Sequence, residues 1–228
     1  MDSIAFKVVD FGIQLAVILF AISFHESAHA WSALQFGDTT ARDAGRISLN
    51  PIRHLDPFGS VLLPIITYVF AGMIFGAAKP TPVDLRNTRN PRLASLVVSA
   101  AGPLSNFLLA AVGILLLRFI RAGSPDAMGN LVEALQGSHF ASGALAPITF
   151  LLFNFARVNI LLAVFNLIPV PPLDGSGVVA GLIGPPAQRA FAALAPFGFL
   201  VLILLITTPV LRVVLNPFQR LLLQLVFG

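Results

Sequence analysis

Apolar residues run through this chain in long blocks rather than along one stripe of an amphipathic period. Six blocks stand out, at about 8–36, 58–76, 92–121, 146–168, 188–208 and 209–227. A helix needs about 20 apolar residues to cross the hydrocarbon core of a bilayer, and several of these runs reach that length. Lipid offers backbone N–H and C=O groups no partner, so every run is expected to be helical. The expected fold class is all-α: a polytopic membrane helix bundle of about five to six apolar segments with short extended interfacial loops. The chain reads as a single domain over 1–228, with a core at about 8–185 and a C-terminal helical hairpin at about 188–228. Thr207, Thr208 and Pro209 divide the last two runs, which leaves a tight hairpin and one kinked helix both open.

The polar stretches are short. Residues 37–57 have room only for turns or a hairpin. Residues 77–91 carry Pro80, Pro82 and Pro91 and are expected to be extended at the membrane surface. The link 122–145 is glycine-rich and mildly polar, and its two dozen residues are too few for a separate domain, which usually starts near 50.

Composition agrees with a membrane chain: 57% of residues are hydrophobic and 11% charged, against about 25% charged in a soluble domain. There is no cysteine, which excludes disulfides, thiolate metal sites and a cysteine nucleophile. The net charge of +4 comes from basic residues scattered through loops, which points to orientation in the lipid bilayer and not to nucleic acid. The first run is too long for the apolar region of a signal peptide.

That run also holds His25-Glu26-Ser27-Ala28-His29, an H-E-x-x-H sequence. Positions four apart share one helix face, so both imidazoles reach one ion while Glu26 faces its bound water. Zinc (Zn2+) takes such nitrogens, and a catalytic site keeps three protein ligands and one open position. Glu26 is the candidate general base and acid, and ionisable residues inside an apolar span are by default functional. A third ligand is still required. Asp174 follows the fourth long run through Asn166-Leu167-Ile168-Pro169-Val170-Pro171-Pro172-Leu173-Asp174-Gly175. From the residues alone it is either that ligand or the N-cap of a following helix.

Three motifs together resemble the site-2 protease family of intramembrane zinc metalloproteases: His25 to His29, Ala101-Gly102-Pro103-Leu104-Ser105-Asn106, and Asn166 to Gly175. The resemblance implies that Asp174 is the third zinc ligand and that the helix around Gly102-Pro103 lies beside the catalytic helix. It implies membrane-protein substrates cut in or near their transmembrane segments, and a role for Asn166 in holding substrate or the oxyanion. An asparagine at that depth is equally a helix-to-helix bridge, the reading preferred for Asn106 and Asn159. His54 resembles a feature of a compact bacterial branch and is a possible accessory residue, although a loop histidine is ordinarily solvated. His139 has a weaker claim. The chain matches a compact form, without the peptide-binding or C-terminal regulatory domains seen elsewhere in the family.

Topology follows from parity. If the helix of His25 ends on one side of the membrane, three further crossings would leave Asp174 on the other side. One run must therefore fail to cross. The shortest of the three, 58–76, contains Pro64 and Gly72 and is expected to re-enter or lie shallow. The loops on the active-site side then collect Arg42, Arg46, Arg53, Lys79, Arg86, Arg89 and Arg92, against Lys7, Arg118 and Arg121 opposite. The positive-inside rule makes the first side cytosolic, in what the resemblance implies is a bacterial cytoplasmic membrane. A metal-ion transporter is the rival reading, but it would repeat ligands along a path; a catalytically silent client-binding scaffold would not need an intact H-E-x-x-H. Oligomeric state and the natural substrate leave no signal in the sequence.

Overall fold

The first apolar run forms one unbroken helix, α1 (Ser3–Gln35). It ends where Gly37 adopts φ 100°, with Gly37 N–H donating to Leu34 and Asp38 N–H to Ala33, a left-handed cap that glycine enters without steric cost. The computed structural model describes residues 3–71, 74, 76–136 and 145–228. After α1 come a single turn, α2 (Thr40–Asp43), and a 3₁₀ turn at Pro51–Arg53. A π-helical stretch, Pro57–Leu62, then runs into α3 (Leu63–Ala71). The remaining helices are α4 (Pro91–Gly123), α5 (Asp126–Leu135), α6 (Ala146–Asn166), α7 (Asp174–Ile183), α8 (Pro185–Leu194), α9 (Gly198–Thr207) and α10 (Pro209–Phe227). Among the described residues no strand occurs, and four helices are long and apolar enough to cross a membrane: α1, α4, α6 and α10. The protein is an integral membrane helix bundle.

Side-chain pairings fix the register of the central three helices. On α4, Val98 lies against His29 and Asn106 against His25, so α1 and α4 are antiparallel. Asn106 also bonds Asn159, and Gly113 packs on Phe155 and Ala156, so α4 and α6 are antiparallel as well. Gly113 on α4 is buried and sits within van der Waals reach of Ala156 and the Leu152 carbonyl of α6, which lets the two backbones approach closely. At the end of the bundle away from His25, Leu117, Phe150, Phe153 and Leu222 form the main apolar core.

The run 58–76 does re-enter. Residues 57–71 are helical, which at 1.5 Å per residue gives about 22 Å or less, short of the roughly 30 Å hydrocarbon core. Ala77 N–H then donates to Gly59 O (2.9 Å), and Ser60 Oγ donates to Ala77 O (2.8 Å), so the chain returns to the level at which it entered. Tyr68 near the tip donates to Asp10 Oδ2 (2.9 Å) and Lys7 O (2.9 Å) and ties the hairpin to α1. The following strap, 76–84, is extended as its prolines require. Its far end is held by Asp38, whose carboxylate accepts the amides of Thr40 (3.0 Å) and Asp84 (2.7 Å). Burial alone would raise the Asp38 pKa, but the Thr40 hydroxyl and these amides outweigh it and hold the carboxyl below its usual range.

One element was not foreseen and one expectation is corrected. The link 122–145 contains α5, an amphipathic helix that buries Ala127, Met128, Leu131 and Ala134 against α6 and α4. The run 188–208 is divided by a 3₁₀ turn at Ala195–Phe197 into two ten-residue helices, each about 15 Å long and too short to cross alone. Extended Thr208 (φ −95°, ψ 163°) precedes Pro209 and separates α9 from α10, so the last two apolar runs are not one kinked helix. Gly72 and His139 lie outside the described residues.

With no native thiol to interfere, single cysteines at Ser48 and Asn87 should both react with a membrane-impermeant maleimide from one side, and a cysteine at Ala122 from the other. Reaction of positions 48 and 87 from opposite sides would reject the re-entrant hairpin.

Candidate metal centre

His25 and His29 face α4 from one side of α1, one helical turn apart. The space they occupy exists because position 102 is glycine: a Cβ there would stand 2.6 Å from His25 Nε2 and overlap His29 Nε2. Each imidazole is oriented by an oxygen on α4. His25 Nδ1 lies 2.6 Å from Asn106 Oδ1, and His29 Nδ1 lies 2.7 Å from Val98 O.

Asn106 is fully buried, and its amide is held in turn. Its Nδ2 donates to Asn159 Oδ1 (2.8 Å) and Ala21 O (3.3 Å), while Asn159 Nδ2 donates to Phe155 O (2.8 Å). With Nδ2 committed to acceptors, Oδ1 must face the imidazole.

The third group comes from α7. Gly177 and Gly181 let this helix sit directly on α4, where an added Cβ would collide with Ser99 and with the backbone of Leu96. Ser95 Oγ donates to Gly177 O (3.0 Å), and Arg92 Nε donates to Gly181 O (2.9 Å), which fixes α7 along its length. Asp174 is the first helical residue, one position past the N-cap Leu173. Its Oδ2 lies 3.1 Å from His25 Nε2, and its Oδ1 lies 3.3 Å from His29 Nε2.

The two Nε2 atoms are 3.0 Å apart. Because both Nδ1 atoms face oxygen acceptors, they carry the hydrogens of neutral imidazoles, and both Nε2 atoms present lone pairs. Asp174 Oδ2 is buried and has no hydrogen-bond donor among the described residues. Two lone pairs and a carboxylate thus converge, with ligand atoms within 4.8 Å of one another, and repel unless a cation lies among them. A nitrogen, nitrogen and oxygen donor set suits zinc.

A family model for peptidase family M50 matches residues 13–205. The chain belongs to peptidase family M50. Relatives of this M50 peptidase include the "Putative zinc metalloprotease YwhC" of Bacillus subtilis, 39% identical over 88% of this chain and 84% of that protein. Proteins named "Putative zinc metalloprotease Rip2" are also similar. The one from Mycolicibacterium smegmatis is 34% identical over 88% of this chain and 70% of its own length, and the Mycobacterium tuberculosis H37Rv protein is 30% identical over 89% and 69%. No solved structure matches the chain.

In this M50 peptidase, Glu26 borders the same cavity of about 320 Å³ as His25, His29 and Asp174. The strap holds its carboxylate: Thr81 N–H donates to Glu26 Oε2 (2.8 Å), and Thr81 Oγ1 donates to Glu26 O (3.2 Å). Asn166 lines this cavity from the end of α6, with Nδ2 donating to Leu162 O (2.9 Å). An apolar cleft of about 350 Å³ adjoins it, bordered by Ile22, Leu162, Phe165 and Leu202 and sharing Glu26 and Asn166.

Asn106 and Asn159 do bridge helices, and Asn106 also sets the tautomer of His25, a role the sequence reading did not give it. Thr81 was missed altogether; a threonine between two prolines carries no chemical signal of its own. His54 departs from expectation differently. It is 2% exposed rather than solvated and lies outside the three-ligand cluster.

Replacing Asn106 with leucine should weaken metal binding about 10- to 100-fold, the usual cost of losing a partner that orients a ligand. Gly102→Ala should do at least as much, because its methyl enters the ligand space. Metal titration of the purified variants checks both.

Proposed function

We propose that this membrane metalloprotease is an intramembrane zinc protease that hydrolyses peptide bonds in or near transmembrane segments of membrane-protein substrates. The observation that carries the reading is the convergence of His25, His29 and Asp174 with Glu26 on one polar cavity that opens beside an apolar cleft.

The two Nε2 atoms and the Asp174 carboxylate would hold Zn2+. When bound, zinc supplies a Lewis acid that lowers the pKa of water and polarises a carbonyl. Glu26 takes the proton of the attacking water and returns it to the departing amine, so the carboxylate is base in the first step and acid in the second. Thr81 N–H restrains one carboxylate oxygen, which limits the rotamers open to Glu26. Asn166 has two amide hydrogens and uses one on Leu162 O, so the other is available to a developing oxyanion.

A peptide bond inside a helix is hydrogen-bonded and shielded, so a transmembrane substrate must unwind locally before attack. The apolar cleft takes its side chains, and the adjoining polar cavity takes the freed backbone. The excess of arginine and lysine on the loops that share the site's side, 37–57 and 77–92, supports a site that faces the cytosol of a bacterial cytoplasmic membrane. A transporter would need ligands at several depths, and among the described residues a single group of three or more metal-ligating side chains is present.

Glu26→Gln keeps all three ligands and removes the base. A single-span reporter helix interrupted by an Asn-Pro pair and flanked by a fluorophore and quencher should be cut by the parent protein. The variant should lose at least about 10³-fold in rate while retaining zinc by elemental analysis. Persistent cleavage by the zinc-loaded variant would refute this assignment.

A further inference from the structure

The sequence 46–54 and the strap form a closed circuit of hydrogen bonds that begins and ends at Glu26. Starting from its carboxylate, Thr81 N–H donates to Glu26 Oε2 (2.8 Å). Two residues earlier in the strap, Lys79 N–H donates to His54 O (3.0 Å). His54 Nε2 donates to Ser48 O (2.7 Å), and the same carbonyl accepts Ser27 Oγ (2.5 Å). Ser27 is the residue after Glu26, so the path returns to α1.

Three features make this more than loop packing. First, the strap between His54 and Glu26 is stiff. Thr81 stands between Pro80 and Pro82, whose rings fix φ and which have no N–H, so Thr81 supplies the sole amide of that tripeptide. A shift of Lys79 therefore reaches Thr81 with little loss. Second, both faces of the Lys79 peptide are pinned, because buried Arg46 Nη1 approaches Lys79 O (3.4 Å) while also donating to Arg53 O (2.8 Å). Third, His54 is 2% exposed and its Nδ1 is buried without a partner. An unsatisfied buried nitrogen costs stability, and a residue kept only for packing would be better apolar.

We infer that His54 is a positioning residue for Glu26: it clamps the strap to α1 so that the Thr81 amide meets the carboxylate of the base. The ring works as a hydrogen-bond donor through Nε2 and transfers no proton. This rests on the proposed role of Glu26.

The test uses the full chain in bicelles with the same Asn-Pro reporter. His54→Ala should lower kcat about 10- to 100-fold, the scale of misplacing a catalytic group by an ångström or losing an orienting partner. KM should stay within about twofold, and zinc content should be unchanged. His54→Gln, which restores a donor near the Nε2 position, should recover most of the rate. Thr81→Pro removes the amide in a segment already rich in proline, and the double variant should be no slower than Thr81→Pro alone, because both changes break one path. Additive losses, a loss carried by KM or by zinc, or a zinc-loaded His54→Gln as slow as His54→Ala would overturn the inference. If His54→Ala does not fold, His54→Asn, which withdraws the donor towards the backbone, takes its place in the cycle with the same expectations. Activity in Glu26→Gln would instead remove the base on which the inference stands, whereas an inactive Glu26→Gln beside a His54→Ala with parental kcat would reject the inference alone.

Discussion

Three candidate ligand atoms that repel one another have to be held together inside a membrane protein, and most of the central architecture is organised around that demand. His25 and His29 come from one helix, where their spacing is guaranteed by the 3.6-residue turn. Asp174 comes from another helix almost 150 positions later. The helix between them, α4, orients both imidazoles, through Asn106 and the Val98 carbonyl, and seats α7 through Gly177 and Gly181. It also yields room at Gly102. A bulkier α4 would separate the carboxylate from the imidazoles, and one without Asn106 would leave His25 free to present the wrong nitrogen.

Polar satisfaction in this interior is achieved by chains rather than pairs. Phe155 O, Asn159, Asn106 and His25 form one such chain across three helices. Each amide has its donor and acceptor ends assigned by its neighbours, so the tautomer at the site is determined two residues away. A second chain, through Ser27, Ser48, His54, Lys79 and Thr81, surrounds Glu26 from the opposite side. The candidate metal ligands and Glu26 are thus supported separately, the first by transmembrane helices and the second by loops at the membrane surface.

The re-entrant hairpin connects these two systems to topology. Because residues 57–71 turn back, the strap emerges beside Glu26 instead of on the far side of the bilayer, and α4 begins at the level of the site. The same return makes α6 end where α1 ends. An apolar cleft beside a polar cavity then results from the strap, α6 and α9 meeting without closing over Glu26. α9 has few buried positions, so nothing in its packing fixes it as firmly as the central helices.

The sequence by itself determined the fold class and the H-E-x-x-H pair, and once the resemblance supplies Asp174 as the third ligand, the failure of one run to cross follows by parity. These are local or counting properties: helical spacing, length against bilayer thickness and the number of crossings between His25 and Asp174. The choice between ligand and N-cap for Asp174 was open from residue type, because a carboxylate at a helix start serves either purpose. It depends on where α7 sits against α4. The small helix α5 could have been found from the spacing of Ala127, Met128, Leu131 and Ala134, yet its glycine and polar neighbours obscured it. Thr81, the contacts of His54 and the orienting role of Asn106 belong to tertiary structure alone. Each acts through hydrogen bonds between separate segments of the chain, and only folding determines which donor meets which acceptor.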